Sequence, residues 1–118
     1  MEAREKFKVI YLPNAIEFLQ KIEIRAQEKI VYNIRKASYV IDPKLFKKLD
    51  NTDIWEFRTL YNGTQYRLLA FWDKTQNVDT LVIATHGFIK KTQKTPLKEI
   101  EKANEIMKEY RKEYFAEG

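Results

Sequence analysis

Polar and apolar positions along this chain switch between a period of two and a period near 3.6. Phe7–Leu12 reads F-K-V-I-Y-L, a short apolar run stopped by Pro13, and predicts a first strand. From Asn14 to about Val40 the spacing changes. Ala15, Leu19, Ile22 and Ala26 recur at three and four, followed by Ile30, Ile34, Ala37 and Ile41, which is a helical period. One rod of that length would overhang a domain this small, so two helices are expected. Their break is placed near Ile24–Gln27, although no Gly or Pro marks it. Asp42-Pro43 stops the helical stretch. Lys44–Asp53 reads as a connecting segment with Leu45, Phe46 and Leu49 turned inward.

The strands Ile54–Leu60 and Gln65–Trp72 flank Asn62-Gly63, the strongest short hairpin signal. Asp73–Val78 is a polar loop and Asp79–Ile89 a last strand. Thr95-Pro96 opens a final helix, with threonine as N-cap and proline at its first position. Lys98 stands where a capping box needs Glu or Gln. Ile100, Ala103, Met107, Tyr110 and Tyr114 then form one apolar stripe. The expected order is strand, two helices, three strands, helix: an α+β domain with a small, antiparallel-rich sheet covered by helices.

Composition narrows this little. The 118 residues suit one domain, 1–118, and 44% hydrophobic with 14% aromatic residues is enough for a packed core. No run of about 18 apolar residues exists, so no membrane span is expected. Met1–Lys6 is followed by no apolar h-region, so neither is a secretory signal expected. The absence of cysteine excludes disulfide and thiol chemistry and fits a reducing cytoplasm. With a single histidine as well, no structural zinc site, no metal and no cofactor are expected. The net charge of +5 favours a polyanionic partner, nucleic acid or an acidic protein. Position says more than the total. Phe88–Lys98 holds four lysines and no acid.

Strand parity sorts the candidate chemistry. Trp55, Phe57 and Thr59 share one face of their strand, with Glu56 and Arg58 on the other. Tyr66, Leu68, Ala70 and Trp72 oppose Gln65, Arg67, Leu69 and Phe71 in the next. Helices over the Trp55 side would leave Glu56, Arg58 and Arg67 on an open side. Two guanidinium forks on adjacent strands can clamp a phosphodiester. An ion pair between Arg58 and Glu56 is the alternative. Lys90, Lys91 and Lys94 precede a helix N-terminus, itself favourable to anions, and read either as an RNA-backbone grip or as a solvated charge run. His86, with an ordinary pKa of about 6.5, is a general acid or base for RNA cleavage or a strand-end histidine bonded to backbone. Glu56 is the other candidate base.

The strings I-W-E-F-R, Q-Y-R-L-L-A-F and H-G-F-I-K-K-T-Q-K-T-P-L-K-E-I-E-K-A resemble the HigB branch of the RelE/ParE toxin superfamily, close to its phage-derived group. The match spans Ile54–Ala103, and its G-F-x-K-K-T-x-K-T-P part is fairly specific. The resemblance implies the toxin of a type II toxin–antitoxin pair. Such a toxin is a metal-independent endoribonuclease that cuts mRNA in the ribosomal A site. It is held in check by an antitoxin, expected here to be a helix-turn-helix protein. By motif, Arg67 matches the family's phosphate-binding arginine, Arg58 a basic strand residue and Lys91 a basic residue after the last strand. The C-terminal tyrosine of some relatives has no counterpart, because Tyr110 and Tyr114 lie deep in the last helix. The superfamily also holds gyrase inhibitors, so a gyrase-binding toxin and a non-catalytic nucleic-acid or partner-binding module of phage origin are the alternatives.

Overall fold

A computed structural model describes residues 4–74 and 81–116, with side chains to residue 113. The chain runs β1 (Lys8–Tyr11), α1 (Pro13–Lys21), α2 (Ile24–Tyr39), β2 (Phe46–Lys48), β3 (Trp55–Tyr61), β4 (Thr64–Asp73), β5 (Leu81–Lys90) and α3 (Leu97–Ala116). The strands form one sheet in the order β1-β5-β4-β3-β2. β1 runs parallel to β5, and the other neighbours are antiparallel. The fold is therefore the expected α+β class with an antiparallel-rich sheet.

The helical stretch is indeed two helices. Ile22 and Glu23 leave the helical region, with ψ of 168° and 137°, which sets the break just before the expected place. The turn has a packing cause: α1 lies against β5 and α2 against β3. Proline explains the start of α1, where a fixed φ suits the first helical position. Asn62 (φ 50°) and Gly63 (φ 78°) join β3 to β4 in a two-residue turn whose positive φ values match the strand twist.

One expectation is corrected. Lys44–Asp53 is more than a connection, because Phe46–Lys48 pairs with β3 as an edge strand. Phe46 is the reason. Its ring stacks on Phe57 at 4.2 Å and draws the segment onto the sheet. Asp79 and Thr80, expected to begin the last strand, and most of the loop before them lie outside the described residues.

The sheet has an apolar core on each face. Under α1 and α2 lie Phe7, Phe46, Phe57, Leu68, Ala70, Val82 and Ala84, met by Ala15, Leu19, Ile30 and Ile34. Gly87 belongs to this side. A Cβ there would stand 2.3 Å from the Phe18 ring, so only glycine lets α1 lay that ring on the sheet. Phe18 is partly buried there, and complete burial of such a ring stabilises by about 2 kcal/mol. On the opposite face Leu69, Phe71, Ile83 and Phe88 meet Ala103 and Met107 of α3. That face was expected to be open. α3 covers half of it, because the stripe predicted from Ile100 to Tyr110 docks there. Tyr114 of the same stripe has its side chain outside the described residues.

Candidate active site

A β-bulge decides which β5 residues reach the uncovered half of that face. Leu69 pairs with His86, yet the next residue, Ala70, pairs with Ala84, so Thr85 is the extra residue. An inserted residue reverses side-chain parity beyond it. Ile83 lies on the α3 face and Ala84 on the other. Past the bulge Phe88 is on the α3 face, and His86 and Lys90 share its parity. Lys90 thereby joins Glu56, Arg58 and Arg67.

Glu56, Arg58 and Lys90 line a cleft of about 320 Å³ beside the start of α3, and Arg67 reaches it only through Glu56. Glu56 is 1% exposed, a buried carboxylate on β3. Its Oε1 stands 3.1 Å from Arg58 Nε and 3.5 Å from Arg67 Nε. Its Oε2 accepts a 2.6 Å hydrogen bond from the Thr95 hydroxyl. Thr95, expected to cap α3, thus ties the helix start to the sheet instead, and the first intrahelical bonds run to Pro96 O.

The two arginines are directly opposite each other on β3 and β4. They differ in depth. Arg58 keeps 30% of its side chain exposed and lines the cleft. Arg67 lies beneath, with Nη1 donating to Tyr66 O at 3.0 Å and Nη2 to Gln65 Oε1 at 2.8 Å. Burial holds the Arg67 pKa below its ordinary value; Glu56 opposes that shift and Arg58 adds to it. Both Nε atoms are buried without an aligned hydrogen-bond acceptor. The two groups are ion-paired to Glu56 rather than hydrogen-bonded to it.

The rim of the cleft is basic. Lys47, Lys48, Lys90 and Lys94 line it with Arg58, so five cations surround the carboxylates of Asp50 and Glu56. Lys90 also lines a neighbouring cavity of about 600 Å³ at the hairpin end, together with Lys91. Burial lowers the pKa of Lys90; Arg67 lowers it further and Glu56 pulls the other way. Lys47 and Lys48 were not singled out from sequence. The lysine pair between Phe46 and Leu49 was their one signal, and a three-residue strand is too short to show a period.

His86 is not brought to the cleft. The expectation of a strand-end group beside the basic turn is corrected: it stands in the middle of β5, 2% exposed under α3. Its Nε2 lies 3.1 Å from Glu99 Oε1, and its Nδ1 lies 3.1 Å from the Thr85 hydroxyl, which also reaches Leu69 O. Burial lowers its pKa against the raising effect of Glu99, and Lys102 lowers it further. With a neutral ring donating from Nε2 to Glu99, the single Thr85 hydroxyl proton is shared between two acceptors, Leu69 O and His86 Nδ1. Among the described residues no group of three or more His, Asp or Glu side chains gathers to hold a metal ion. No helix among them is long and apolar enough to cross a membrane.

The model of the phage-derived protein Gp49-like family (DUF891) matches residues 17–108, a span that contains every residue of the cleft. The chain belongs to that Gp49-like family. Comparison with curated proteins finds no match. Among solved structures, it is similar to a chain of the toxin–antitoxin complex RelBE2 from Mycobacterium tuberculosis. The two are 21% identical, with 75% of this chain and 95% of that one covered and a TM-score of 0.54. At that identity the Gp49-like chain shares the fold of that protein, and its chemistry must be argued from its own side chains.

Proposed function

We propose that this chain is the toxin of a type II toxin–antitoxin pair, HigB-like within the RelE/ParE superfamily, and that it cuts mRNA on the ribosome. The observation that carries the reading is the cleft floor, one buried carboxylate between two guanidinium groups beneath a lysine rim. The shared fold and the phage-derived family support it.

RNA cleavage needs little more than these groups. The 2′-oxygen attacks the adjacent phosphorus, the bond to the 5′-oxygen breaks, and a 2′,3′-cyclic phosphate remains. Glu56 takes the proton of the 2′-hydroxyl. Lys90, whose pKa is lowered by burial and by Arg67, returns a proton to the departing 5′-oxygen. Arg58 meets the phosphate oxygens from the cleft. Arg67 adds positive potential from beneath, where charge develops in the transition state. Lys47, Lys91 and Lys94 hold the RNA backbone. A helix-turn-helix antitoxin encoded beside the toxin neutralises it in the cytoplasm.

Pulse labelling after induced expression tests the reading. Protein synthesis should stop first, mRNA should appear as fragments with cyclic phosphate ends, and co-expression of the neighbouring antitoxin should restore growth. Arrest of DNA synthesis with mRNA intact would replace it with gyrase inhibition. Unimpeded growth would leave a non-catalytic binding module.

A further inference from the structure

A second cavity, of about 500 Å³, opens where β3 begins and β4 ends. Lys48, Asp53, Trp55, Trp72, Lys74 and Arg111 line it, three cations against one carboxylate. Both tryptophans of the chain stand in its wall. Their rings lie 6.0 Å apart at 79°, forming a corner, and both are only partly buried. Each ring is held by a phenylalanine. Phe46 stacks on Trp55 at 4.8 Å, and Phe7 meets Trp72 edge-on at 5.3 Å. Arg111 is placed in turn over the Phe71 ring at 5.8 Å.

The geometry points to a second nucleotide subsite, in which a base stacks in the tryptophan corner and its phosphate is taken by Lys48, Lys74 and Arg111. Fixed aromatic faces beside a basic groove are what single-stranded nucleic acid requires, because every base has a π-face and every linkage a charge. An inorganic anion has no use for two indoles, and an apolar ligand would desolvate three cations. The volume lies within the range of small-ligand sites, about 300–1,000 Å³. Lys48 lines this cavity and the cleft alike, so a strand held in the cleft passes it on the way to the corner. That the ligand is an RNA strand rests on the nuclease reading; the stacking site itself does not.

Both indoles report on this one cavity, so intrinsic tryptophan fluorescence of the full chain is a direct probe. Adenosine 5′-monophosphate should quench it saturably. Adenosine, which lacks the phosphate, and inorganic phosphate, which lacks the base, should each bind at least about tenfold more weakly. Lys74→Glu with Arg111→Glu should abolish saturation while near-UV circular dichroism stays native, and Arg67→Ala should keep it. Absence of saturable quenching, its survival in the double charge reversal, or equal binding of phosphate alone would overturn the subsite. If adenosine monophosphate binds and ribosome-bound mRNA stays intact, the nuclease reading fails and the subsite stands. If mRNA is cut and the indoles do not respond, the subsite fails.

Discussion

Two halves of one sheet face each hold a buried titratable side chain, Glu56 in one and His86 in the other, at 1% and 2% exposure. Each is tied to the beginning of α3, Glu56 by Thr95 and His86 by Glu99. They differ in what lies above. In the half that holds His86, Leu69 and Phe88 pack against Ala103 and Met107, and the carboxylate partner of His86, Glu99, is on the covering helix. Beside Glu56 there are two arginines and an open rim of lysines. Burial alone therefore does not mark a reacting group. An ionisable group sealed under a helix serves the packing of that helix. On the nuclease reading proposed above, the same kind of group at the floor of a charged cleft has a substrate above it and a field that a phosphodiester uses.

Exchanging the buried titratable group in each half gives the widest separation. Glu56→Gln should lower single-turnover cleavage of ribosome-bound mRNA by a hundredfold or more, roughly the worth of a positioned base. It should also cost about 3 kcal/mol in chemical unfolding, because Arg58 and Arg67 would face each other without the anion between them. His86→Gln should destabilise as well, yet leave cleavage of the folded fraction within about threefold, a change far below the loss expected of a general base. Comparable losses of cleavage in both variants would erase the distinction between the halves.

The paired arginines sharpen the same contrast within the open half. Arg58→Ala removes the guanidinium that reaches the cleft, and cleavage should fall about a hundredfold, near 3 kcal/mol of transition-state stabilisation. Arg67→Ala removes hydrogen bonds to Tyr66 O and Gln65 as well as a buried partner of Glu56. Its larger effect should be on stability, about 2 kcal/mol as for hydrogen bonds from a charged donor, with a smaller loss in rate. Denaturant midpoints measured beside cleavage rates would separate the two. The reverse ranking would put Arg67, not Arg58, against the phosphate.

Much of this layout was readable from residues alone. Period and turn chemistry placed the hairpin and the docking stripe of α3. Strand parity put Glu56, Arg58 and Arg67 on one side. What escaped has physical causes. The bulge at Thr85 leaves no mark in composition, yet without it His86 would share the face of Ala84, and Lys90 would point away from Arg67. β2 is three residues long and owes its pairing to the Phe46 ring, a tertiary contact. Thr95 carries a good capping side chain, but a buried carboxylate competes for its hydroxyl. The depth difference between Arg58 and Arg67 depends on Gln65 and on the packing of Phe88 opposite, neither of which spacing reveals.

The smallest effect expected is a pH dependence of stability that spares catalysis. Burial depresses the folded-state pKa of His86 below its ordinary value of about 6.5. Below that value the unfolded chain binds a proton that the folded chain refuses, so stability rises with pH through this window. The contribution is complete above about pH 6.5 and is lost as pH falls from there toward the folded-state value. Glu99 limits the loss, since its carboxylate favours the protonated ring, whereas Lys102 adds to it. Thermal unfolding from pH 7.5 to 5.5 should therefore show a falling midpoint in the native chain and a flatter profile in His86→Gln. Glu99→Gln removes the group that favours the imidazolium, so its profile should be steeper than the native one. A native profile that instead rises on acidification would mean that the Glu99 pair outweighs burial, and His86 would then be a cation locked under α3.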